Sequence, residues 1–385
     1  MRKNFTKLTV STIALFAFIG LTVNANGQSD ETAGAVFAMT NIAANNEIVV
    51  FNRAVDGTLT AVGHVATGGN GKGDDFDTQG GLVLHDNHRF LYACNAGSNN
   101  ISVFAVNGTQ LTLIQKVDSG GVVPESLTFH GNLMYVLHGS VADNNISGFT
   151  VASDGTLTPL PNSTKPLSSP IAVPGVIQFS SNGRVIVVTQ KSVQLGGQSP
   201  GPFVIDTFTI GQDGLPSDAR PNESFGRRPF AAIFRSNGPL LVAESQNPVP
   251  NQAAVSSYHV DSFNGTIDVI TGSEHNGQTD ACWILLSKDE RYAYTANFAS
   301  GTISSFRVRP RGDVNLINGT AAVLGDTSQP TDIRLSADGR FFYVLLRGAG
   351  MVAAFRMEAD GSLRSLGMVS GGLPVNTGAS GLAAY

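Results

Sequence analysis

Residues 99–111 read NNISVFAVNGTQL, and the reading of this stretch decides the fold. Apolar and polar residues alternate through Ile101–Val106, and Asn107-Gly108 then supplies a dipeptide that tolerates positive φ. Together these signal a β-hairpin. The chain writes the unit again as NNEIVVFNRAVDGTL (45–59) and NNISGFTVASDGTL (144–157). Weaker copies are FVIDTFTIGQDGL (203–215), AVSSYHVDSFNGTI (254–267), GTISSFRVRPRGDV (301–314) and GMVAAFRMEADGSL (350–363). All seven carry one aromatic in register: Phe51, Phe104, Phe149, Phe208, Tyr258, Phe306 and Phe355. Their separations are 53, 45, 59, 50, 48 and 49 residues, and a strand-rich period of that size means a solenoid, a propeller or an array.

Each repeat has a second half. DIRLSADGRFFYV (332–344), WILLSKDERYAYT (283–295), VIQFSSNGRVIVV (176–188) and LVLHDNHRFLYA (82–93) all run apolar strand, polar turn, aromatic-rich strand. Four antiparallel strands in two hairpins make a propeller blade. The chain ends SGLAAY (380–385), an inner strand without a partner. It opens, after its leader, with AVFAMTN (35–41), a second strand without an inner one. Pairing the two closes the ring and removes its open edge. The expected fold is therefore all-β: a seven-bladed β-propeller of four-stranded antiparallel blades, closed by its N- and C-terminal strands.

This topology assigns the ends of the ring. Turns between strands 1 and 2, and 3 and 4, are tight, as at Ser236-Asn237-Gly238, Ala337-Asp338-Gly339, Asp154-Gly155 and Asn107-Gly108. The long connections, 67–79, 161–173, 191–202, 216–228, 246–253 and 271–280, all fall at the other end, here called the upper face. Loops gathered on one face of a rigid scaffold mark the expected binding face.

Composition agrees. The 385 residues are 42% hydrophobic with 44 glycines and only 14% charged, which suits many short strands joined by Gly-rich turns. At the N-terminus Arg2, Lys3 and Lys7 precede a charge-free run, Leu8–Val23, and Val23-Asn24-Ala25 has the small-x-small form of a cleavage site. Residues 1–25 read as a signal peptide and 26–385 as one propeller domain, secreted or periplasmic. The run is short for a membrane span, so no membrane association is expected after cleavage. Losing three positive charges takes the net charge from −5 to −8, which argues against a nucleic-acid partner. Cys94 and Cys282 fall in distant blades and are expected free. The sequons at Asn107, Asn264 and Asn318 are Asn-Gly-Thr turns, which is the plainer reading of them.

The stretches RYAYTANFASGTISSFRV (291–308) and GRFFYVLLRGAGMVAAFRM (339–357) resemble the seven-bladed propeller lactonases. That family takes in the propeller-type 6-phosphogluconolactonases and the carboxymuconate lactonising enzymes, the 3-carboxymuconate cyclase-like proteins. The resemblance runs from about residue 35 to 385. It implies a site at the top of the central channel that uses no metal or other cofactor. The site would act on a small lactone or sugar acid through a His, two Arg and a Glu. Opening a lactone needs a general acid/base and a cation or donor for the developing oxyanion.

The chain departs from that pattern. The His position falls on Val173-Pro174-Gly175 and the second Arg on Phe298. Arg228 and Glu244 keep the family's spacing and are the catalytic candidates, as an ion pair near the top of one blade. An ungapped register instead puts Phe230 and Gln246 there, and a structural salt bridge is the plainer alternative. Glu125, Lys191, Gln246, Arg347 and Asp332 are the substrate-binding candidates. Asn41, Asn95, His138, Gln190, Ser245 and Asn297 share one register position and read as an architectural ring. His85-Asp-Asn-His88 has metal-like spacing but sits in a tight turn. GGNGKGDDFD (68–77) lacks the Lys-Ser/Thr of a P-loop, and its Asp74, Asp75 and Asp77 read as a solvated loop before a Ca²⁺ site. The departures keep a second function open: an inactive extracellular propeller that binds a glycan or a protein.

Overall fold

The computed structural model describes Met1 and residues 32–74, 76–139, 143–169, 173–191 and 203–385. The expected signal peptide, Asp75 and most of the 191–202 connection lie outside the described residues. Seven antiparallel sheets form a ring, and no helix occurs among the described residues. Blade 1 takes its inner strand from the C-terminus: Leu382–Ala384 pairs with Thr32–Met39, with Val36 opposite Ala384 and Ala38 opposite Leu382. Blades 2 to 7 then follow in order, with inner strands at Leu82–Leu84, Pro124–His130, Pro174–Phe179, Pro229–Phe234, Ala281–Leu286 and Pro330–Leu335. Blade 3 departs slightly: its outer strand breaks into Leu157–Pro159 and Lys165–Pro166. The prolines there deny the edge its donors.

The second strands carry the core. Phe90–Asn95, Val185–Gln190, Tyr292–Asn297 and Phe341–Leu346 are buried at every residue, because neighbouring blades cover both faces. That is why they read as continuous apolar runs while the outer strands alternate. Four tyrosines staple blade to blade. Tyr92, Tyr135, Tyr294 and Tyr343 donate their hydroxyls to the carbonyls of Gly155, Gly214, Gly361 and Gly57, at 2.8, 2.6, 2.6 and 3.0 Å. Each acceptor is the glycine of an Asp-Gly turn in the next blade. At Gly361 the φ of 84° and the Tyr292 ring leave no room for a side chain, since a Cβ would sit 2.6 Å from that ring.

Two features set up the channel mouth. The inner strands of blades 3 to 7 each shift register just after their first residue, at Pro124/Ser126, Pro174/Ile177, Pro229/Ala232, Ala281/Trp283 and Pro330/Ile333. Such bulges re-aim side chains. The residue before the strand is also left-handed in four blades: Val123 (φ 60°), Arg228 (56°), Asp280 (65°) and Gln329 (48°). Non-glycine residues hold that conformation only where their surroundings enforce it.

The second feature has no counterpart in the repeat. The connection from blade 1 to blade 2 dips into the channel at residues 76–80 and hydrogen-bonds to three other blades. Gln79 donates its N–H to Gly175 O (3.1 Å), accepts Ser126 Oγ on its carbonyl (2.5 Å) and accepts Ile284 N on its side chain (3.0 Å). Thr78 donates Oγ1 to Glu125 O (2.8 Å), and its carbonyl accepts Trp283 Nε1 (3.2 Å). Gly80 accepts Leu127 N on its carbonyl (3.0 Å). Phe76, Thr78 and Gln79 are buried, so the segment is a plug.

Candidate active site at the upper mouth of the channel

A cavity of about 200 Å³ opens above the plug, between it and blades 5 and 6. One wall is aromatic: Phe230, Trp283 and Phe298. Phe230 and Phe298 flank Trp283, with ring centroids 5.0 and 6.1 Å from it. The other wall holds Asp77, Arg228, Asp280 and Cys282. Phe230 and Cys282 occupy the bulge positions, and Arg228 and Asp280 are the left-handed residues before their strands.

Asp77, on the plug, ties the charges together. Lys191, fully buried at the end of a blade 4 strand, donates Nζ to Asp77 Oδ2 at 2.8 Å and to the Asp77 carbonyl. Its ammonium also lies 4.0 Å from the centre of the Phe230 ring. Arg228 Nη2 sits 3.8 Å from the same Asp77 Oδ2, and its side chain is 31% exposed. Asp280 accepts the Cys282 thiol at 3.2 Å. Burial pushes the Asp280 carboxyl above the usual carboxylate range, while Cys282, Arg228 and Lys191 act against the shift. Burial also raises the Cys282 thiol well above its ordinary value, so it stays protonated as a donor.

Of the sequence candidates, Arg228 lines this cavity, Lys191 stands behind it and Arg347 stacks on its wall, 4.7 Å over Phe298. The expected Arg228–Glu244 ion pair is not formed. Arg228 turns to Asp77, and Glu244 is buried among donors: Gly226 N at 3.1 Å, Gln246 Nε2 at 2.9 Å and Ser273 Oγ at 2.6 Å. Gln246 N and Ser245 N bond the carbonyls of Arg227 and Arg228. Glu244 and Gln246 thus hold the strap that carries Arg228 rather than line the cavity. Burial raises the Glu244 carboxyl, and its four hydrogen-bonding neighbours oppose that.

Glu125 opens the inner strand of blade 3, with Lys72 Nζ 3.7 Å from its Oε1. Only 2% exposed and with Oε2 unbonded, it is pushed up to about 7 by burial, against the pull of Lys72 and Lys191. Asp332 lies beneath the plug, accepting Gly381 N at 2.9 Å with Arg334 Nη2 at 3.8 Å.

The architectural ring holds: Asn95 Nδ2 bonds Asn100 and Ser102, and Asn297 Nδ2 bonds Thr302 and Ser304. His138 in the same ring is buried and neutral, lowered to about 4 by burial. His85 and His88 pack on Phe129 and Tyr385. Both cysteines are free and buried. Asp77 and Asp280 are the site residues that sequence reading missed as partners. Phe76, one large apolar residue in a Gly-rich loop, was the available sign that the loop is buried.

A seven-bladed β-propeller lactonase family model matches residues 44–174 and 226–323, more than half of the chain. Among solved structures, a putative 6-phosphogluconolactonase from Bacteroides uniformis is 17% identical with a TM-score of 0.68, over 91% of this chain and 98% of that one. The periplasmic gluconolactonase of Pseudomonas aeruginosa is also 17% identical, with a TM-score of 0.66 and the same coverage. A hypothetical selenium-binding protein from Sulfolobus tokodaii shares the fold at 11% identity and a TM-score of 0.66, over 90% of this chain and 92% of that one. With the family model matched across both halves of the ring, the chain belongs to the seven-bladed β-propeller lactonases.

Proposed function

We propose that the protein is an exported lactonase that hydrolyses a small unphosphorylated lactone, such as that of a sugar acid, in the cavity above the plug. The observation that carries this reading is the placement of one accessible guanidinium, Arg228, across the same cavity from a half-buried carboxylate of raised pKa, Asp280. A carboxylate shifted toward neutrality is the better general base. Water attacks the lactone carbonyl carbon as Asp280 takes its proton, and Arg228 donates to the developing oxyanion. Collapse breaks the ring C–O bond, Asp280 returns the proton to the leaving alkoxide, and a hydroxy acid results. Lys191 and Asp77 act behind this pair by fixing Arg228, and the aromatic wall packs the apolar face of the ring. The family's missing His is replaced in this scheme by Asp280 from the next blade but one. Export rests on the N-terminal pattern, and mass spectrometry of secreted protein should find Asn26 as its first residue.

The test is hydrolysis of a panel of unphosphorylated lactones by residues 26–385, with Asp280→Asn alongside. Turnover that falls about 10²-fold or more in Asp280→Asn supports the assignment. Full activity in that variant removes Asp280 from the chemistry. A second reading is favoured by the pairing of Lys191 and Arg228 with Asp77: a propeller that holds a small carboxylate, an extracellular glycan or a protein without turnover. Calorimetric binding of a sugar acid, with no lactone hydrolysed, would select it.

A further inference from the structure

Below the plug the channel opens again at the opposite face. A cavity of about 180 Å³ lies there, roofed by Gly80 and bounded by the inner strands of blades 2, 3, 4 and 7. Its polar lining carries several donors whose hydrogen-bonding capacity is only partly used among the described residues. Arg334 uses one N–H on its own neighbour's carbonyl, Nη1 to Ile333 O at 2.9 Å, and the one carboxylate paired with it among the described residues, Asp332, is 3.8 Å away. Asp332 in turn accepts Gly381 N on Oδ2, while its Oδ1 makes no hydrogen bond among the described residues and faces Arg334 at 3.8 Å, too long to engage the guanidinium fork in a direct hydrogen bond. Thr128 Oγ1 accepts Phe179 N at 2.9 Å, which leaves its hydroxyl proton unassigned. His85 Nδ1 accepts Asn87 N at 3.3 Å, which puts the ring proton on Nε2. Gln178 lines the cavity with its amide uncommitted to any described residue. Leu127 and Phe129 supply an apolar wall.

We propose that this lower mouth is a second binding site, for a small aliphatic monocarboxylate, separated from the upper cavity by the plug. A planar guanidinium fork matches a carboxylate in two parallel hydrogen bonds. Gln178, Thr128 and His85 converge on the same space, and the leucine and phenylalanine take a short alkyl tail. Asp86 stands on the rim and, with Asp332, disfavours a dianion, so phosphate and dicarboxylates fit less well. The site stands whether or not the upper cavity turns over a lactone.

Propionate is the probe, titrated by calorimetry into full-length mature Arg228→Ala protein, in which the upper cavity has lost its accessible cation. Propionamide, the neutral isostere, is titrated in parallel. The site predicts saturable propionate binding, with propionamide weaker by about tenfold, the worth of a charge-assisted hydrogen bond. Adding Arg334→Met together with Asp332→Asn removes the pair without stranding a buried charge and should abolish binding. Adding Gln178→Ala alone, a half-buried position that is safe for folding, should weaken it measurably. No propionate binding, equal binding of propionamide, or binding that survives the Arg334/Asp332 change would each overturn the proposal.

Discussion

The second strands and the openings of the inner strands are both repeated around the ring, yet they repeat different things. Second strands repeat their chemistry: buried apolar residues, a tyrosine staple in four blades and, in six, a polar residue at the upper end. Inner-strand openings repeat only their geometry, a bulge in five blades and a left-handed residue before the strand in four of them. Their side chains differ from blade to blade: Glu125, Gly175, Phe230, Cys282 and Thr331. Positions that must satisfy every neighbour converge on one residue type. Positions that face one shared channel are free to diverge, and the cavity is assembled from them.

That contrast can be broken by experiment. The largest stability loss is expected on the repeated side. Gly361→Ala puts a Cβ 2.6 Å from the Tyr292 ring at a φ of 84°. Left-handed strain and overpacking together should cost about 4 kcal/mol in urea unfolding. A loss under 1 kcal/mol, by the same principles, would mean that the staple turn is not fixed.

Next comes Glu125. Its folded pKa of about 7 lies above the ordinary 4.5, so the folded protein holds the proton more tightly and loses stability as pH rises through that window. Glu125→Gln should match wild type near pH 4.5 and be more stable above pH 7, by on the order of 3 kcal/mol. A gap that does not grow with pH would show that Glu125 is not strained by burial.

Tyr343→Phe should be milder, at about 1 to 2 kcal/mol, because it strands the Gly57 carbonyl but keeps the ring. Equal stability to wild type would demote the staple to packing. Arg228→Ala should be the smallest in stability, under about 0.5 kcal/mol, since its ion pair is long and partly exposed. A larger loss would make Arg228 part of the scaffold.

Most of the scaffold was legible because it is periodic. NNISVFAVNGTQL and its six relatives give hairpin, blade and ring, and SGLAAY with AVFAMTN gives the closure. The upper face was legible from loop lengths alone. The cavity was legible only in part. Arg228 was found by spacing, but the ion pair expected with Glu244 depends on where two side chains point, which spacing does not give. The backbone register does set Glu244 opposite Pro229, beside Arg228, but Arg228 turns to Asp77 and Glu244 to its own donors. The plug was not legible, because Asp77 and Lys191 are 114 residues apart and segment 68–77 carries no period to place it. Its partners lie in blades 3, 4, 5 and 6, and only the folded ring brings them together.

The central claim is that function sits at the divergent positions and stability at the repeated ones. The most direct test measures kcat/KM for the best lactone of the panel in Arg228→Ala and Gly361→Ala, each at a temperature where circular dichroism shows it folded. The account predicts a loss of about 10²-fold or more in Arg228→Ala, the worth of an oxyanion donor, and near wild-type turnover in Gly361→Ala. Wild-type turnover in Arg228→Ala would contradict it and would move the chemistry out of this cavity.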